Sequence, residues 1–327
     1  MSEGPSARIE TVEGTQVVVL RDAGRNSEAW VVAEVGSNLA RFRTRVGQRD
    51  VEVIAQPPDM ATLRERPTRW GSAPLFPYPG RIEGGRFAFQ GREVQLPTDQ
   101  RDGNAIHGVV RARPWRVVGT YGASVTTEFD TAAAGVPAAE WPWPFVLRLT
   151  TRLQGATVRV EIEATNRGSS DMPMGLGFHP YFPASDDVAV WVDADERWAQ
   201  HGAGLPTGEI QPLGPDDGLR RPRALRDVAP TTTMPEGSVR NMLFRKRSGG
   251  IAAGLRDPRT RHATTLTASD GFGALVFFTP AAPPLVSLEP HTCVPNAFNL
   301  PDVPSGTITL KPGETWRGWY QIEAKAL

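Results

Sequence analysis

A single large all-β domain is the fold this sequence predicts, and three observations predict it. The chain carries 33 Gly and 30 Pro spread along 327 residues, so runs free of turn-forming residues are short. Most of those runs alternate apolar with polar residues, the period of a half-buried strand. No segment shows the 3.6-residue apolar period of a long amphipathic helix.

Taken in chain order, residues 29–35, 50–55, 145–153, 158–164, 188–193, 274–279 and 306–310 read as strands, rich in the β-branched and aromatic residues that pleated surfaces favour. Within 158–164, Arg159, Glu161 and Glu163 interleave with Val158, Val160, Ile162 and Ala164, so one face meets a core and the other meets water. Met60–Arg66 and Ala138–Trp141 are one or two helical turns at most. Many short strands separated by turns predict a sandwich, and the absence of a fixed repeat period argues against a propeller or solenoid. The Pro-rich stretch 202–235 is the best candidate for a boundary; it reads as a long loop inside one sandwich, so residues 1–327 are expected to form one domain.

Composition narrows the function. Lys plus Arg and Asp plus Glu both total 36, and this zero balance argues against a general nucleic-acid or membrane-surface binder. A neutral chain neither requires nor forbids a dimer. Charge is uneven, however: Arg220 to His262 holds eleven basic and three acidic residues. That stretch reads either as solvated loops or as a rim attracting an anionic substrate. Cys293 is the sole cysteine, the first residues lack a signal-peptide pattern, and no run approaches the roughly 18 apolar residues of a membrane helix. A cytoplasmic location is the expectation.

The familiar phosphate, dinucleotide, zinc-protease and nucleophile-elbow motifs are missing. One cysteine and five scattered histidines argue against a structural zinc site. Asp193, Asp195 and Glu196 lack the spacing of a calcium loop and read as a solvated strand end. Three local contexts remain. Pro79-Gly80-Arg81-Ile82-Glu83-Gly84-Gly85 places one arginine among glycines, either as an exposed hairpin turn or as a guanidinium fork for a polyhydroxylated ligand. Asn104-Ala105-Ile106-His107-Gly108 carries a lone histidine, structural or ligand-binding. The third context pairs Phe178-His179-Pro180-Tyr181-Phe182 with Leu288-Glu289-Pro290-His291-Thr292. The prolines bias His179 and Glu289 toward extended backbone, and rigid strands suit an acid–base pair. Trp70, Tyr78, Trp115 and Phe178 are aromatic candidates for stacking on a ligand, or for the core.

Four segments, GRIEGGRFAFQGREVQLPTD, NAIHGVVRARPW, GFHPYF and VSLEPHTCVPNAFNL, occur in the order found in aldose 1-epimerases (galactose mutarotases) and their hexose-6-phosphate relatives, and the chain resembles that family from about residue 75 to residue 300. The resemblance implies a galactose mutarotase-like β-supersandwich with an open cleft on one sheet face, and interconversion of sugar anomers without a cofactor. It implies Glu289 as the base and His179 as the acid, with Arg81 and His107 on the sugar hydroxyls and ring oxygen. Three positions depart from the family pattern. Gly80 precedes Arg81 where an Asn is usual, Asn296 replaces an Asp, and the best match to a sugar-contacting Asp is Asn241, which keeps an acceptor oxygen but loses the charge. The implied partner is a small-molecule sugar, either a free aldohexose or a phosphorylated one. A hexose-6-phosphate mutarotase, motivated by the arginines of 220–261, and a non-catalytic carbohydrate-binding protein on the same scaffold are the competing readings.

Overall fold

The structure, a computed structural model, describes residues 4–327 apart from 203, 216–217 and 235–236. Two large sheets make up most of it, and all paired strands run antiparallel. The nine-stranded sheet is centred on Thr157–Asn166, Thr315–Ala326 and His262–Ala268. In the eight-stranded sheet, Leu205–Pro212, Glu196–His201, Gly237–Arg245, Ala274–Thr279, Leu285–His291, Gly177–Pro183 and Ser72–Leu75 lie side by side in that order, and the eighth strand, Thr232–Met234, pairs with Gly237–Arg245 off this path. A five-stranded N-terminal sheet spans Ser6–Val12 to Arg49–Ile54. The single all-β sandwich expected from the sequence is thus the architecture found.

Sequence and burial agree where alternation is clean. Thr157–Asn166 alternates buried and half-buried positions along its whole length, with Glu161 and Glu163 on the outer side. Leu285–His291 is buried at every position, as befits a central strand covered on both faces. The two sheets meet through aromatic contacts: Phe178 lies 4.2 Å from Tyr320 and Phe76 lies 4.7 Å from Phe145, centroid to centroid. Ser72 Oγ and Tyr320 OH add a buried hydrogen bond of 2.9 Å between the sheets. The short helix Met60–Glu65 forms as expected; Asp59 caps it by accepting from the Thr62 amide at 2.6 Å, while Met60 and Leu63 pack on Val17, Val19 and Val32 of the N-terminal sheet.

Two expectations are corrected. The stretch 202–235 is not one long loop: it holds the eight-residue strand Leu205–Pro212, paired at the sheet edge with Glu196–His201. Edge strands tolerate proline because one row of amides has no partner to lose. Glu196 is not solvated; it is buried and receives Arg245 and Arg247. Several basic residues of 220–262 also make contacts within the fold. Arg220 donates to the Leu213 carbonyl, Arg240 to those of Leu225 and Val228, Arg226 pairs with Asp187, and Lys246 pairs with Asp193. No helix among the described residues is long and apolar enough to cross a membrane.

Phe178 is the joint between the functional face and the core behind it. Phe178→Ala should lower unfolding free energy by about 3–5 kcal/mol, measured by denaturant titration; a loss under about 1 kcal/mol would show that the joint is not where the sheets are held.

Candidate active site

His179 and Glu289 stand on adjacent strands. Gly177 pairs with His291 and Tyr181 with Ser287, a register that sets His179 directly across from Glu289. Side chains alternate along each strand. Phe178, Phe182 and Leu288 therefore enter the main core, while His179, Tyr181, Ser287, Glu289 and His291 share the opposite face. Glu289 is 3% exposed and His179 is 7% exposed. Glu289 Oε1 lies 3.4 Å from His179 Nε2.

The hydrogen bonds assign the histidine protons. Ser287 Oγ lies 2.9 Å from the Pro180 carbonyl, which can only accept, so the hydroxyl proton goes there. Ser287 Oγ then accepts from His179 Nδ1–H at 3.0 Å. The variable proton of His179 is thereby confined to Nε2, which faces Glu289. His107 is set the opposite way. The Gly80 amide donates to His107 Nδ1 at 3.2 Å, and the His107 amide returns a bond to the Gly80 carbonyl at 2.8 Å. Its proton therefore sits on Nε2, and its ring meets that of His179 edge-on at 5.5 Å. His107 holds φ +63° and Gly80 φ +69°. A Cβ at Gly80 would stand 2.6 Å from Pro295, so the residue that departs from the family pattern is the one this packing admits.

Arg81 borders the same space. Asp102 takes its Nε at 2.6 Å, and the Asn296 amide donates to its carbonyl at 2.6 Å. Asn296 accepts from the Glu83 amide and from the Asn299 side chain, so it braces this loop. Asn241 lies farther off. It is in register with Phe278, which is in register with Ser287, so it shares the functional face two strands away from the Glu289 strand with Phe278 between. Its amide packs against Gly204, where a Cβ would come within 2.2 Å of Nδ2. The structure thus gathers Glu289, His179, His107 and Arg81, and places Asn241 at the side.

Burial sets the electrostatics. It pushes Glu289 up to about 7, against the opposing pull of His179 and Arg81. It lowers His179, with the Glu289 charge acting the other way. It drives His107 well below the usual histidine range and His291 down to about 3. Two neighbours escaped the sequence reading as site residues, Ser287 and His291. The period-2 alternation of Ser287-Leu288-Glu289-Pro290-His291 would have put all three polar residues on one face. Of the four aromatic candidates, Tyr78, Trp115 and Phe178 belong to the main core; Trp70 packs beside Tyr181 at the site's edge. Cys293 is buried with its Sγ against Gly175, and burial pushes its thiol up to about 12. Among the described residues, no group of three or more His, Cys, Asp or Glu side chains is close enough to hold a metal ion.

Known proteins share this architecture. A galactose mutarotase-like protein from Clostridium acetobutylicum superimposes with a TM-score of 0.80 at 21% identity, covering 99% of each chain. The GalM/aldose epimerase homologue from C. elegans superimposes with a TM-score of 0.75 at 14% identity, over 92% of this chain and 96% of that one. In Escherichia coli (strain K12), the uncharacterized protein YphB is 30% identical over 128 residues, 39% of this chain and 42% of that protein. The uncharacterized protein YihR of the same strain is 34% identical over 141 residues, 41% and 44% respectively. The chain thus spans less than half the length of the curated relatives it matches. The family profile described as aldose 1-epimerase matches residues 17–323, nearly the whole chain, and the protein therefore belongs to the aldose 1-epimerase family.

Proposed function

We propose that the protein is a mutarotase that interconverts the α and β anomers of a free aldohexose, with Glu289 as base and His179 as acid. The observation that carries this reading is the 3.4 Å separation of Glu289 Oε1 and His179 Nε2 on one sheet face. A hemiacetal's hydroxyl O1 and ring oxygen O5 are bonded to the same carbon, so an acid and a base on one sheet face at this spacing can both reach them. Glu289 takes the proton of O1, the C1–O1 bond becomes a carbonyl as C1–O5 breaks, and O5 takes the proton of His179. Rotation about C1–C2 presents the other carbonyl face. Reversal of both transfers closes the ring as the opposite anomer and restores the pair. Neutral His107 offers its Nε2–H, and Arg81 its free guanidinium N–H groups, to sugar oxygens.

The pair carries one proton in total throughout. In the unliganded protein it rests on Glu289, whose affinity burial has raised, and passes to His179 Nε2 across the short gap between them. A free sugar is favoured over a phosphorylated one by the engagement of Arg220, Arg226, Arg240, Arg245 and Arg247 in contacts within the fold, which leaves fewer guanidinium groups of that stretch for a phosphate.

Glu289→Gln and His179→Ala should each slow mutarotation of fresh α-D-galactose by roughly 10²–10⁴-fold with the fold intact, followed by polarimetry and circular dichroism. α-D-Glucose and glucose 6-phosphate serve as comparison substrates. Wild-type rates in either variant would refute the roles, and acceleration of glucose 6-phosphate alone would reinstate the phosphorylated substrate. The pH dependence has a definite sign. Below the pair's lower ionisation both groups are protonated and no base remains; above about 7 the last proton leaves and no acid remains. The kcat/KM should therefore fall about tenfold per pH unit above about 7; a flat profile from pH 7 to 9 would contradict a one-proton pair.

A further inference from the structure

The proposed reaction uses one oxygen of Glu289, and the other has a neighbour with no task assigned. His291 is fully buried, its two ring nitrogens have no hydrogen-bond partner, and Nε2 stands 3.3 Å from Glu289 Oε2. Buried polar groups left unpaired are uncommon and call for a reason. The sequence makes room for this one. His291 lies across from Gly177, where a Cβ would come within 2.3 Å of its Cδ2 and 2.8 Å of its Nε2. Stability alone would favour an apolar side chain here, which would remove two unmet polar atoms.

Burial keeps this imidazole neutral, with one N–H and one lone pair. A proton on Nδ1 would leave a buried donor without an acceptor and turn the Nε2 lone pair toward a carboxylate oxygen. A proton on Nε2 places the donor at that oxygen. The contact is within reach but poorly aligned in the unliganded protein, and catalytic hydrogen bonds commonly tighten only when substrate is bound. We infer that His291 is a positioning residue, whose Nε2–H holds Oε2 of Glu289 so that Oε1 stays directed at His179 and the substrate. This rests on the reading of Glu289 as the base. The other groups acting on Glu289 are His179 and Tyr181 from the neighbouring strand, Ser287 from its own strand and Arg81 from the adjoining loop. Arg69 and His107 act from beyond His179. Ala274–Thr279, on the far side, has no titratable side chain.

The test compares His291→Leu, which removes the donor, with His291→Gln, which keeps an N–H. His291→Leu should melt at or above the wild-type temperature and lose roughly 10²-fold in kcat, with KM within about twofold. Losing a donor to the carboxylate raises its proton affinity, so the high-pH fall of kcat/KM should move to higher pH. His291→Gln should recover much of kcat and return the fall toward its wild-type position. Unchanged kcat and pH profile in His291→Leu would overturn the inference. So would equal losses of melting temperature and kcat in both variants, the result a structural role gives. The ¹⁵N shifts of the wild-type ring decide independently of activity: an Nε2–H tautomer is expected, and an Nδ1–H tautomer would overturn it. If the wild type proves inactive on every sugar while His291 carries its proton on Nε2, the mutarotase reading falls and the contact stands.

Discussion

The structure is organised around a carboxylate taken out of water. Removing an ionised carboxylate from solvent costs several kcal/mol unless it is paired or neutralised, and Glu289 sits at a fully buried strand in the middle of a sheet. The usual remedy is a direct arginine, which would hold the group far below neutrality and leave it a weak base. Here the groups in reach are two imidazoles, at 3.4 and 3.3 Å, and Asp102 engages the nearby Arg81. The proton affinity consequently settles near neutral pH, where a proposed base is most effective.

Two neighbouring histidines are given opposite proton placements by the groups behind them. Ser287, itself committed to the Pro180 carbonyl, makes His179 a donor at Nδ1. The Gly80 amide makes His107 an acceptor at Nδ1. His179 thereby has its exchangeable proton on the nitrogen facing Glu289, while His107 has a permanent donor at its Nε2. Neither arrangement depends on a flexible surface loop alone: one rests on two paired strands, the other on a two-way backbone link between residues 80 and 107. The contact of Phe178 with Tyr320 ties the same strand to the second sheet, so the position of His179 is inherited from the core.

What could be read from the sequence follows from how local each cause is. Alternation in 158–164 and the apolar run before Glu289 are local signals, and both became strands. The short helix was legible from its few residues. Glu196 was misread because its partners, Arg245 and Arg247, are about fifty residues away. Leu205–Pro212 was hidden by prolines that an edge strand can carry. The motifs named Glu289, His179, His107, Arg81 and Asn241 but carried no information on distance, and Asn241 lies two strands aside. His291 was within reach of alternation alone, since it lies two residues beyond Glu289; its lack of partners became visible only once the strands were paired.

The departures from the family pattern can now be sorted by what surrounds them. Gly80 is forced by its positive φ and by Pro295, and it is also the residue that orients His107. Asn296 is engaged by the Glu83 amide and the Asn299 side chain through the acceptor oxygen that an Asp would also supply. Both changes are absorbed in the loop that carries Arg81. Asn241 differs: its backbone is tied to Thr231, while its side-chain amide packs on Gly204 at the edge of the functional face. A neutral amide there offers both a donor and an acceptor where a carboxylate would only accept. The chemistry proposed for Glu289 and His179 is separable from this substitution, because Phe278 stands between the two places.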